Sequence, residues 1–258
     1  MQRRPRRRSE PRGFWYAAAA ILLRPVLFVT TRPQWQGGEH LPAHGGVVVC
    51  PNHVSYVDPL TFAHFVYDHG RCARFIAKAS LFEIPGLRRL LIGAGQIPVY
   101  RESGRAGQAL SAAVDAVRAG RCVAVYPEAT ITRDDDLWPM AGKTGAARIA
   151  LATGAPVIPV AQWGPQEILP PYAKRPRLFP RHTVHVHAGP PVDLSEFAGR
   201  ELTAEVLTQA TEKIMAAITE LLAAIRGQRP PAVRFDPRTS DLPRTGDPRR
   251  RGDHGAAR

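Results

Sequence analysis

In Val47-Val48-Val49-Cys50-Pro51-Asn52-His53-Val54-Ser55-Tyr56-Val57-Asp58-Pro59, an apolar run gives way to a histidine and, five residues on, an aspartate. Val47 to Cys50, entered from Gly46, reads as a buried strand. From Pro59 to Tyr67 the apolar and aromatic residues recur at helical spacing, so His53 and Asp58 fall on the turn that joins strand to helix. In an open α/β sheet the carboxyl ends of the strands face the ligand crevice. A regular helix would send side chains five apart to different faces. At a turn the chain can fold back, so that Asp58 holds the Nδ1–H of His53 and leaves Nε2 as a general base. Ser55 followed by Asp58 also fits an ordinary helix start, with an acidic residue near the positive end of the dipole and His53 as a loop residue. The nine residues from Pro51 to Pro59 leave both readings standing.

The surrounding chain alternates strand and helix at short intervals. Strands are expected at Arg74–Ala77, in the segment Gly93–Tyr100, and at Cys122–Tyr126, Val157–Gln162 and Thr183–Val186. Helices are expected at Ser80–Leu91 (broken at Pro85-Gly86), Gly107–Arg118, Gly145–Thr153 and Leu202–Ile225. That order predicts an α/β fold, a mixed and largely parallel sheet flanked by helices. At 258 residues, one sizeable domain is expected.

The formal charge of +13 sits at the two ends. Residues 1–12 carry six Arg and one Glu, and residues 226–258 nine Arg and four Asp, so each end is +5 and the interior only +3. Nucleic-acid binding would rest on the tails alone, because the interior offers no basic stripe. Residues 13–31 follow the first basic run, but Arg24-Pro25 interrupts them, leaving a poor transmembrane span and a poor signal peptide. A helix over 13–34, lying in the lipid headgroup region with Trp15 and Tyr16 as anchors, is the expectation; packing on the domain is the alternative. Residues 35–226 form the expected catalytic domain, and residues 227–258, rich in Pro, Arg, Asp and Gly, a disordered tail.

Cys50, Cys72 and Cys122 fit reduced, buried thiols. His185 and His187 alternate on one strand face without a third ligand at metal spacing, and Asp134-Asp135-Asp136 reads as a solvated turn, so no metal site is expected.

The stretch Asn52-His53-x4-Asp58 resembles the first motif of the glycerophosphate/lysophosphatidate acyltransferase family. Ile97-Pro98-Val99-Tyr100-Arg101 resembles the second motif, Tyr126-Pro127-Glu128-Ala129-Thr130 the third, and Ala155-Pro156-Val157-Ile158-Pro159-Val160 the fourth. The four stand in the family's order, across roughly residues 35 to 225. The resemblance implies an O-acyltransferase that moves a fatty acyl chain from acyl-CoA or acyl-carrier protein to a lysophospholipid, foremost 1-acyl-glycerol-3-phosphate. It implies no cofactor and a place on the cytoplasmic face of the cell membrane. His53 would be the base and Asp58 its orienter. Asn52, Arg101, Glu128 and Thr130 would meet the substrate, with Arg101 on the acceptor's phosphate. No Gly-x-Ser-x-Gly elbow occurs, so the acceptor hydroxyl is expected to attack the thioester directly. The family's pattern has Gly at Ala129 and Arg at Ile131. Arg133 or Lys143 is the expected replacement for that missing cation. The alternatives are the same chemistry on a glycosylated or inositol lipid, or a non-catalytic membrane-binding relative.

Overall fold

A computed structural model describes residue 10 and residues 12–99 and 106–239. Its centre is a seven-stranded sheet built from β1 (Thr31–Gln36), β2 (Val47–Pro51), β3 (Ala73–Lys78), β4 (Ile97–Val99), β5 (Cys122–Ala124), β6 (Val157–Trp163) and β7 (His182–Ala188). The strand order is β1-β7-β6-β2-β5-β3-β4. Every pairing is parallel except β6 with β7, so the sheet is mixed and largely parallel, as expected. The helices are α1 (Phe14–Thr30), α2 (Asp58–Asp68), α3 (Leu87–Gly93), α4 (Ala106–Arg118), α5 (Gly145–Thr153), α6 (Pro165–Ile168) and α7 (Ala204–Arg226).

The valine run is buried on both faces because β2 lies at the middle of the sheet. Strand side chains alternate. Val48 and Cys50 join the core formed with α4, α5 and α7, while Val47 and Val49 face Phe62, Phe65 and Val66 of α2. In α4, Ala109, Ala113 and Val117 recur every four residues and form its buried stripe. That helix crosses so close to the entry of β2 that a Cβ on Gly46 would lie 2.0 Å from the Val117 carbonyl oxygen, which restricts position 46 to glycine. The α7 helix starts on a Thr203 side chain that accepts the Val206 amide, and it ends at Gly227 in the left-handed region.

Three expectations need correction. The first helix ends at Thr30, and residues 31–34, expected in it, belong with Trp35 and Gln36 to edge strand β1. An interior strand would not accept Pro33, but an edge strand does. Second, the basic segment 1–12 is not all tail. The Glu10 carboxylate is buried among Arg71, Arg74 and Arg121, and Arg12 lies over the Tyr67 ring. Third, residues 227–239 are part of the described structure: the Phe235 carbonyl accepts the Ala141 amide, and Arg234 pairs with Glu212. The rest of the expected disordered segment lies outside the described residues. The short strand expected within Gly93–Tyr100 is present as Ile97–Val99, after α3 has run on through Gly93.

The α1 helix packs by one side only. Tyr16 and Leu27 are buried, and the Tyr16 hydroxyl accepts the Ala73 amide at 3.1 Å. Arg24 pairs with Asp68 of α2 at 2.9 Å and lies over the Tyr67 ring. Phe14, Ile21, Leu22, Val26 and Val29 are exposed. Among the described residues, no helix is long and apolar enough to cross a membrane.

Candidate active site

Central strands β2 and β5 run out close together while β6 continues beside them, and the residues past the ends of β2 and β5 build the site against β6. The register of β2 on β6 runs out at Pro51 opposite Val160. Asn52 then takes over with its side chain. Its Oδ1 accepts the Gln162 amide N–H at 2.7 Å, and its Nδ2 donates to the Gln162 carbonyl at 3.1 Å. A primary amide thus copies one rung of the sheet and frees the backbone to turn away. Asn52 is buried, and both ends of its side chain serve this rung.

The turn that follows is wound around Asp58. Its Oδ2 accepts His53 Nδ1–H at 2.8 Å, the Val54 amide at 2.6 Å and the Ser55 amide at 2.9 Å. The sequence left open whether Asp58 starts a helix or orients the histidine; here it does both. Asp58 lies in the first turn of α2, and its carboxylate gathers the turn that carries His53. Burial pushes its pKa up, and the hydrogen bonds from His53 and the two amides oppose that rise. The assigned donor at Nδ1 leaves Nε2 of His53 without a partner among the described residues, on a side chain that is 15% exposed. Ser55 seats the turn from below, its hydroxyl donating to the Leu169 carbonyl at 2.7 Å.

The third motif packs on this turn. Glu128 Oε1 accepts the His53 amide at 2.8 Å, and Oε2 accepts the Met140 amide at 3.1 Å. Both oxygens of Glu128, expected to meet substrate, therefore hold backbone together. Burial drives its carboxyl up to about 8, against the two amides that favour its charged form. Ala129 stands at φ 59°, the left-handed conformation that the family's glycine takes freely and that an alanine adopts at a cost of about 1 kcal/mol. The close turn survives the substitution.

Thr132 donates its amide to the His53 carbonyl at 2.8 Å and its hydroxyl to the Trp138 carbonyl at 2.6 Å. Ile131 is buried, so nothing replaces the missing cation at that position itself. Arg133 is buried one residue beyond Thr132, while Lys143 is exposed, its amide donating to the Pro127 carbonyl beside Glu128. Thr130 is half-buried on the same loop. Arg101 lies outside the described residues; edge strand β4, which precedes it in the sequence, points its carboxyl end the same way as β2.

Two contributors went unread in the sequence. The Tyr126 ring lies 4.4 Å from that of His53, centroid to centroid, and packs on Phe75 from its other side. Gln162 anchors Asn52 through its backbone and accepts the Thr61 hydroxyl at 3.1 Å through its side chain. A polar residue ending the apolar run Val157–Ala161 was the available signal. Asp134 Oδ1 takes the amides of Asp136 and Trp138, the solvated-turn role expected for that acidic run. Cys50, Cys72 and Cys122 are free and buried, and burial drives the Cys122 thiol up to about 12.

A family model described as Acyltransferase matches residues 32–163. The chain is 30% identical over 182 residues to a 1-acyl-sn-glycerol-3-phosphate acyltransferase of Borreliella burgdorferi, covering 69% of this chain and 70% of that protein. It is 33% identical over 161 residues to a chloroplastic enzyme of the same name from Brassica napus, covering 62% of this chain and 45% of that one. Among solved structures, the 1-acyl-sn-glycerophosphate acyltransferase of Thermotoga maritima shares the fold, with a TM-score of 0.58 and 21% identity over 83% of this chain and 84% of that one.

Proposed function

From a chain that belongs to the acyltransferase family and is an acyltransferase enzyme, we infer that it transfers a fatty acyl group from a thioester donor to the free hydroxyl of a lysophospholipid, foremost 1-acyl-glycerol-3-phosphate. The observation that carries this reading is the His53–Asp58 pair at the carboxyl end of the central strand, with Nε2 open and Nδ1 held at 2.8 Å. The acceptor hydroxyl gives its proton to Nε2 as its oxygen bonds to the thioester carbonyl carbon. Asp58 stabilises the resulting imidazolium and fixes its orientation. When the tetrahedral intermediate collapses, the C–S bond breaks and His53 returns the proton to the departing thiolate. Direct transfer forms no acyl-enzyme, and the buried cysteine thiols are unsuited to be nucleophiles.

Arg101, with Arg133 or Lys143, supplies the positive charge for the acceptor's phosphate in this reading, and Thr130 lines the same crevice. The relatives' names support the phosphate acceptor, since both are 1-acyl-sn-glycerol-3-phosphate acyltransferases. The buried Ile131 in place of the family's arginine favours a second reading, a lipid acceptor with a glycosylated or inositol headgroup. The donor in this reading is acyl-CoA or acyl-carrier protein, and the enzyme works at the cytoplasmic face of the membrane. There α1 lies in the interface with Phe14, Ile21, Leu22, Val26 and Val29 towards lipid. Its neighbour α3, against whose Gly93 the Trp15 ring packs, adds exposed Ile92 beside Arg88 and Arg89.

The test is to incubate the purified protein in anionic vesicles with labelled acyl-CoA or acyl-carrier protein and a panel of lysolipids. Label on lysophosphatidate supports the assignment. Label on a glycosylated or inositol lipid alone replaces the acceptor, and no transfer to any lysolipid leaves a membrane-binding relative without this chemistry.

A further inference from the structure

Three buried polar atoms around the His53 ring make no hydrogen bond among the described residues: Asp58 Oδ1, the Tyr126 hydroxyl and Gln162 Nε2. They converge on one place. Tyr126 reaches it by packing its ring on His53. Gln162 reaches it from the end of β6, its Oε1 receiving the same Thr61 hydroxyl that touches the Asp58 carbonyl at 3.1 Å. The Tyr126 hydroxyl is buried and faces both the Asp58 carboxylate and the Gln162 side chain. Burial and then the Asp58 charge raise its pKa well above the usual tyrosine value, and Gln162 opposes the rise.

Their chemistry is complementary. Gln162 Nε2 can only donate, Asp58 Oδ1 as a carboxylate oxygen can only accept, and a phenol does one of each. Left apart, each carries a desolvation cost that a buried polar group rarely sustains. Their roles pair in one order, Nε2–H to the phenol oxygen and phenol O–H to Oδ1. We propose that Tyr126, backed by Gln162, is a positioning residue for acyl transfer that anchors the second oxygen of Asp58. The three donors on Oδ2 define one edge of that carboxylate. A donor on Oδ1 fixes the other, so the carboxylate plane cannot swing away as the imidazolium forms. The chain Gln162–Tyr126–Asp58–His53 then runs from the end of β6 to the base, and its catalytic part rests on the acyltransferase reading above.

Tyr126→Phe keeps the ring and removes only the hydroxyl. The expected result is a fall in kcat of about 3- to 10-fold with both KM values at wild type, the pattern of a group that acts only in the transition state. The low-field NMR resonance of His53 Nδ1–H should shift in the same variant, because the oxygen it bonds is no longer fixed. Gln162→Met should act in the same direction, and the double variant should be no slower than the slower single one. If the hydroxyl is merely stranded, its removal relieves a buried polar group; the thermal midpoint then rises while kcat and the resonance stay put. That result overturns the proposal, as does an additive loss in the double variant. The resonance reports the hydrogen-bond chain whichever lipid the enzyme acylates, so failure of the acceptor assignment and failure of the Tyr126 role remain distinct.

Discussion

At the amino ends of β3 and β5, Glu10 is buried among Arg71, Arg74 and Arg121; at the carboxyl ends of β2 and β5, Asp58 and Glu128 are buried around His53. Both clusters hold carboxylates away from water, and they differ in what those carboxylates hold. Glu10 Oε2 takes Arg71 Nε at 3.3 Å and the Cys72 amide at 3.2 Å, while Oε1 takes Arg121 at 3.2 Å and Arg74 at 3.4 Å. Arg71 also donates from Nη1 to the Pro42 carbonyl and from Nη2 to those of Gly45 and Gly120. Both oxygens of Glu10 are taken, and the cluster ties the segment before α1 to the sheet, while Arg74 Nη1 is buried without a hydrogen bond among the described residues. At the other end, His53 Nε2 remains open. A buried carboxylate bonded on both oxygens to cations and backbone braces a fold; one that orients a base with an open nitrogen at the carboxyl ends of the strands is arranged for chemistry.

Variants that separate stability from turnover break or sharpen this contrast. The largest effect is expected for His53→Ala, which should lower kcat by about 10² to 10⁴ with little change in the urea midpoint. Retention of more than half of the wild-type turnover would sink the base assignment. Glu10→Ala should do the reverse. It leaves Arg71 buried without its counter-ion and should cost about 3 kcal/mol in chemical denaturation, with turnover per folded molecule unchanged. An unchanged midpoint would show that the amino-end cluster holds nothing.

The next effect is on binding. Arg101→Ala should raise the KM for the phosphate acceptor about tenfold and leave the donor's KM alone, the signature of lost acceptor contact. Arg133→Ala and Lys143→Ala in the same assay identify the second cation. Wild-type KM in all three moves the acceptor's phosphate elsewhere.

Glu128 gives a pH signature. Its carboxyl is raised to about 8 in the fold against an ordinary value of 4.5, so the folded state binds the extra proton between those values. Its contribution to stability is therefore fully present below the ordinary value and lost as pH rises through about 8. The urea midpoint should fall from pH 5 to pH 9, and it should fall less in Glu128→Gln; equal slopes would remove Glu128 as the source. The smallest effect is Ala129→Gly, which relieves the left-handed alanine and should stabilise by about 0.5 kcal/mol, the strain relieved less the added chain entropy. A lower thermal midpoint would count against strain at that turn.

The central strands and most helices were legible because their signals are local. The run Val47–Cys50 can only be buried, and the alanine stripe of α4 repeats every four residues. Edge strand β1 was not legible, because Arg32-Pro33 has no strand character of its own and pairs only once β7 is in place. Within the site, the His53–Asp58 contact was readable from spacing at a turn. Asn52 and Glu128 were recognised as site residues, but their backbone-holding roles depend on partners 110 and 75 residues away. Glu10 counted in the sequence as one negative charge in a basic run, yet it is the buried centre of an ion cluster. Long-range partners of this kind have no periodicity to betray them.

The account turns on His53 and Asp58 acting as one unit, and a double-mutant cycle on single-turnover acyl transfer tests that most directly. Asp58→Asn alone should slow transfer by about 10² or more, since it disturbs the tautomer that leaves Nε2 open. Introduced into His53→Ala, the same change should cost nothing further, because the group it orients is already gone. If the two losses multiply, Asp58 acts on the reaction by a route other than His53, and the pair at the head of α2 is not the catalytic unit described here.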